Sequence, residues 1–140
     1  MIGLSEDSLL EQGVKKCPFF MSRIGSCLAP NLLCFAFLLG ELELFDESSV
    51  VHRRALSQYR DSIDPEEIPN QMSGLARHLG LSSTPTDALP VFREVINIRL
   101  EHQDFAGAFY DLANMGALLM RLGRWQEAIV SDRTVREGWP

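Results

Sequence analysis

A pattern that occurs twice constrains this chain more than any single motif in it. From Leu112 to Pro140 the sequence reads as two amphipathic helices joined by a tight turn at Leu122-Gly123-Arg124. Leu112, Met115, Gly116 and Leu119 share one face of the first helix, and Ala128, Ile129 and Val135 one face of the second. Shifted back by 40 positions, Met72, Leu75, Ala76 and Leu79 fall on the first set, and Ala88, Leu89 and Val95 on the second. The matched small residues Ala76 and Gly116 sit where a larger side chain would hold paired helices apart. Gly116→Leu is therefore expected to overpack the pair and destabilise it. A helix pair of this kind cannot bury its apolar stripe alone, so recurrence implies stacked units. A weaker third match lies further back at a shorter offset, where Ala55 and Tyr59 correspond to Ala88 and Phe92.

A Gly at the helix contact, a Gly in the turn, an Ala inside the second helix and a closing Pro together resemble the tetratricopeptide repeat (TPR) family. The 40-residue spacing exceeds the family's usual period of about 34. The surplus lies in the turn Gly80 to Thr84 and the connection His102 to Phe105. Longer-period arrays of bacterial signal-transduction ATPases and transcription regulators look similar. The resemblance implies an all-α fold, a right-handed stack of antiparallel helix pairs (a TPR-like α-solenoid) with about seven helices. Two pairs would span 64–140, at about 66–101 and 105–140. An irregular helical region over 1–63 would cap the stack or form a divergent unit. Trp125, in the turn where such repeats place an aromatic, is expected in the core.

Caps and turns agree with helices throughout. Thr84-Pro85-Thr86-Asp87 offers an N-cap, a Pro at the first helical position and an acid three residues after the cap. Asp104 can cap the helix that runs to about Leu122. Asp64 to Glu67 opens another helix, or stands as an acidic loop before a start at Pro69. A shorter helix follows Asp46 to Ser49 and ends near Ile63, and another opens at Leu4 and stops before Pro18. No stretch alternates with period two between turns, so no strand is expected.

The composition, 46% apolar and 23% charged, is that of a globular domain. A net charge of −6 argues against nucleic acid as the main ligand, since phosphate binding wants a basic face. The apolar run over 27–39 has cationic residues before it and acids after, the polarity of a membrane anchor. Pro30-Asn31 interrupts it, however, and a spanning helix needs roughly 20 apolar residues. A fully buried helix beginning at Pro30 is expected, with a membrane or signal role as the alternative. Cys17, Cys27 and Cys34 match no metal or redox spacing and are odd in number. Buried, reduced thiols and a cytoplasmic protein follow. His52, His78 and His102 are scattered, with no second ligand at helical spacing, and no phosphate loop or nucleophile elbow is present. The sequence points to no catalytic residue, no metal and no cofactor.

What remains is a surface. In TPR proteins the first helix of each repeat lines the concave face, so the resemblance implies Tyr110, Asn114, Ala117 and Arg121 as groove positions, and Asn70, Gly74, Arg77 and Leu81 one unit earlier. Asn114 falls where many TPR proteins bond the backbone of an extended peptide, and an Arg in such a groove can grip a carboxylate. The expected function is a non-catalytic protein–protein interaction module. A regulatory or sensor fragment of a larger signal-transduction protein, and an adaptor anchored through 27–39, are the alternatives. The final unit would leave apolar surface uncovered, and Trp139 and Val130 are the candidates for self-association into a homodimer through that end.

Overall fold

Apolar residues recurring every three or four positions wind this chain into helices, and the loops between them are short. The computed structural model describes residues 28–138. Six α-helices follow one another there: α1 (Leu28–Glu41), α2 (Phe45–Gln58), α3 (Ile68–Leu81), α4 (Ala88–Glu101), α5 (Phe105–Arg121) and α6 (Trp125–Gly138). Short 3-10 turns at Arg60–Ser62 and Pro85–Asp87 complete the elements, and no strand occurs among the described residues. The helix expected from Leu4 lies outside them. Each helix packs on the next in the chain, and α1 also meets α3, as α3 meets α5.

The spacing is regular. The offset that relates the two sequence units also relates α1 to α3 at both ends, and α3 to α5 at their C-terminal ends. Phe45, Pro85 and Trp125, which open α2, the turn before α4, and α6, are spaced alike. The first helix pair thus keeps the offset of the other two, and the shorter-offset match of Ala55 to Ala88 gives way to a match with Val95. Both Ala55 and Val95 are fully buried. One continuous core runs along the chain, through Leu32, Ala36, Val51, Leu75, Phe92, Val95, Leu118 and Leu119.

Three helices end alike. The N–H groups of Leu44, Asp104 and Arg124 donate to the carbonyls of Leu39, Arg99 and Leu119 at 2.9, 2.8 and 2.9 Å. The residue before each is left-handed: Glu43 (φ 60°), Gln103 (φ 58°) and Gly123 (φ 73°). Asp104 caps α5 as expected, its Oδ1 accepting from the Gly107 N–H at 3.0 Å. Thr84 does not cap α4. Its hydroxyl lies 3.5 Å from Ser82 Oγ, Pro85–Asp87 winds as a 3-10 turn, and the α-helix starts only at Ala88. α3 begins at Ile68, which leaves Asp64 to Glu67 outside it.

Several expectations are corrected by the packing. α1 starts at Leu28 and is buried along one face only: Leu32, Leu33, Ala36 and Leu39 face the core, while Phe37 and Leu38 are exposed. Cys34 shares the outer face and is exposed rather than buried; Cys17 and Cys27 lie outside the described residues. No described helix is long and apolar enough to cross a membrane. Gly116 is no point of close approach, since a Cβ there would meet no atom within 4 Å. Trp125 is 58% exposed rather than core. Both lie on a face of α5 and α6 that no described helix covers, whereas Ala76, the counterpart of Gly116, is sealed under α5.

Candidate functional site

Side by side, α3 and α5 turn matched positions to one surface. Arg77, Leu81, Asn114, Ala117 and Arg121 border a cavity of about 180 Å³ floored by Ala76 and Gly80. Arg121 is held there, its guanidinium donating to the Gly80 carbonyl at 3.1 Å. Arg77 is exposed beside it. Asn114 is half-buried, and its amide nitrogen is enclosed with no acceptor among the described residues. Five of the eight groove positions, Arg77, Leu81, Asn114, Ala117 and Arg121, are thus brought together. Tyr110 is exposed but does not border this cavity, and Asn70 is engaged elsewhere, accepting from Arg99 at 3.0 Å.

Arg99 organises the interior between α3, α4 and α5. Its guanidinium donates to Asp111 at 2.8 Å, Asp104 at 2.6 Å, Ser73 at 3.0 Å and Asn70 at 3.0 Å. Asp111 has no exposed side-chain surface, and its second oxygen, Oδ1, finds no donor among the described residues. Burial raises its carboxyl above the ordinary carboxylate range, against the hydrogen bonds and the Arg99 charge that pull it down. Asp104 shifts the other way, lowered by the Gly107 N–H and then by Arg99. Such a network fixes how α5 sits on α3 and α4.

A second polar cluster joins α1, α2 and α3. Ser48 Oγ donates to the Ala36 carbonyl at 2.6 Å and lies 2.7 Å from His78 Nδ1. With its proton spent on the carbonyl, Ser48 can only accept from His78, which assigns the proton of that ring to Nδ1. A Cβ at Gly40 would collide with the same ring, so glycine makes the room for it. His52 lies 5.6 Å from His78 between ring centroids, and its Nε2 is 3.4 Å from Gln71 Oε1. Its Nδ1 is buried without a partner among the described residues. Burial pushes His52 down to about 4 and lowers His78 too, with Arg77 adding to the latter and Glu41 opposing. Ser48 and His78 sit at the distance of a nucleophile and its base, yet Ser48 is fully enclosed and its proton already bonded.

Sequence spacing held no sign of either cluster, because each joins residues from different helices. Only the cap at Asp104 had a local signature. Among the described residues no group of three or more His, Cys, Asp or Glu could hold a metal ion. Of the self-association candidates, Val130 is exposed on α6 and Trp139 lies outside the described residues. No family model, curated protein or solved structure matches this chain.

Proposed function

We propose that the chain is a TPR-like helical-repeat module, a right-handed stack of antiparallel helix pairs, that presents the α3/α5 face to a peptide or protein subunit and performs no chemistry of its own. The regular offset between helix pairs and the contact of α1 with α3 and of α3 with α5 support the stack. One observation carries the binding role: an enclosed amide nitrogen of Asn114 without an acceptor, set between Arg77 and Arg121. An unsatisfied buried donor is costly, and a turn of the Asn114 side chain into the cavity would let a backbone carbonyl of an extended ligand satisfy it. The flanking guanidiniums would then hold acidic groups of the same ligand.

Peptides selected from a random display library against the full chain test this directly. The double change Asn114→Ala, Arg121→Glu should weaken their binding by at least about tenfold, the loss of roughly one charge-assisted hydrogen bond. Helicity should be kept, since both positions border solvent. Undiminished affinity in the double variant would remove the α3/α5 face as the binding surface.

A further inference from the structure

One joint of this molecule places two histidines where its twin places hydrocarbon. α3 packs on the α1/α2 pair as α5 packs on α3 and α4. Leu118 meets Gly80 at the second joint; at the matched positions of the first, His78 meets Gly40. His52 stands in the place of Phe92, and Ser48 and Ser49 in those of Ala88 and Leu89. All of these side chains are buried. The first joint thus keeps the shape of the second and gives up much of its apolar character.

Closed, the joint holds each ring with one proton. His78 donates from Nδ1 to Ser48 Oγ at 2.7 Å, and its Nε2 is turned against the backbone of Gly40. His52 donates from Nε2 toward Gln71 Oε1 at 3.4 Å, which leaves its Nδ1 enclosed with no acceptor among the described residues. A second proton on either ring is a buried charge, and on both rings two such charges 5.6 Å apart between centroids. Glu41 of α1 favours a charged His78, and Arg77 of α3 opposes it. From α2 the charged group at the joint is Asp46, which accepts from the Ser83 N–H and hydroxyl at 2.9 Å. α4 and α5 send no charged group among those that shift either ring, and burial lowers both. The second joint answers acid differently. Asp104 is lowered from its ordinary 3.8 and weakens that joint only in stronger acid, while Asp111 is raised, so its protonation favours the closed form.

We infer that the contact of α1 and α2 with α3 is an acid-released joint: when both histidines are protonated, the first helix pair parts from α3 while α3 to α6 stay together. Parting lets water reach both rings, so the open form binds two protons that the closed form refuses. Among the described helices the pair has α3 as its main neighbour, so it can part without unpacking α4, α5 or α6. Above pH 6.5 neither form takes the extra protons and the joint is at its tightest; below that, each proton taken up favours the open form. The device is separate from the binding role of the α3/α5 face.

Native-state hydrogen exchange of the full chain, resolved by peptide and corrected for intrinsic rates, reads the opening of each helix at about pH 7.5 and about pH 5. The opening constants of α1 and α2 amides should rise at least about tenfold at the lower pH, and those of α6 by less than about threefold. His52→Phe with His78→Leu copies the second joint into the first and should abolish the rise. His52→Phe alone should cut it and decides the matter if the double variant does not fold. A smaller rise in α1 and α2 overturns the inference. So does a rise of the same order in α6, which would mean that acid acts through global unfolding. A full rise that persists in a folded histidine variant overturns it as well, and would assign the release to other groups such as Asp46.

Discussion

His52 is 2% exposed, touches His78 and leaves Nδ1 without an acceptor among the described residues, so a second proton on its ring finds no partner there. The folded protein holds it neutral down to about pH 4, whereas the unfolded chain protonates it at its ordinary value of 6.5. Above pH 6.5 neither state carries the proton and stability is full. Between 6.5 and about 4 the unfolded state binds more protons, so stability falls with falling pH, by about 3 kcal/mol from His52 at the lower end. Urea unfolding from about pH 7.5 to about pH 4.5 should show this slope, and His52→Phe should flatten it. Phenylalanine fits, because Phe92 fills the matched position of the next helix pair. A slope identical in the variant would assign the acid sensitivity to other groups. Arg99 makes the opposite case, a charge that must be present. Arg99→Met leaves Asp111 buried and unpaired and should cost about 3–5 kcal/mol, while Arg99→Met with Asp111→Leu should recover most of that. Denaturant midpoints of the two variants decide it, and a stable single variant would show that the ion pair does not hold α5 in place.

At the scale of elements, the helix ends carry the recoverable strain. Glu43 and Gln103 adopt the left-handed conformation that Gly123 adopts at the third such turn. A side chain there costs about 1 kcal/mol that glycine avoids, although glycine also loosens the unfolded chain. Glu43→Gly and Gln103→Gly should therefore each raise stability by up to about 1 kcal/mol, read as a higher melting temperature. A lower one would mean that the unfolded-state effect dominates. The same turns explain what could be read in advance. Gly123 and Asp104 announce their helix ends through local chemistry, and the sequence places both. Thr84 carries the same cap signature, yet the chain spends the turn after Pro85 as 3-10 helix. The outer face of α1, with Cys34, Phe37 and Leu38, has the composition of core and reads as buried in the sequence. Apolar composition alone does not say which side of a helix meets a neighbour.

For the molecule as a whole, the repeat offset was legible between the second and third helix pairs, because apolar residues stand on apolar residues there. In the first pair Ser48, Ser49 and His52 occupy the places of Ala88, Leu89 and Phe92, so similarity fails although the geometry is kept. The candidate site was legible in the same measure: Arg77, Asn114 and Arg121 follow from their place on first helices, whereas Asn70 was claimed by an Arg99 that no local pattern ties to it. A chain built by successive contacts also has uneven stability along its length. α3 and α4 are packed on both sides, while α6 has α5 as its main neighbour and leaves Trp125, Ile129 and Val130 exposed. Among the described side chains of α6 Ala128 is the buried apolar one, so opening α6 should occur at a free energy at least about 1 kcal/mol below that of global unfolding. Native-state hydrogen exchange resolved by peptide would show α6 amides exchanging first, with those of α3 and α4 last. Gly116→Leu supplies the control, because a side chain laid between α5 and α6 in open space should slow exchange in α6 and leave α3 unchanged. Uniform protection across all six helices would mean that the unit is fully cooperative and that its open end carries no deficit in stability.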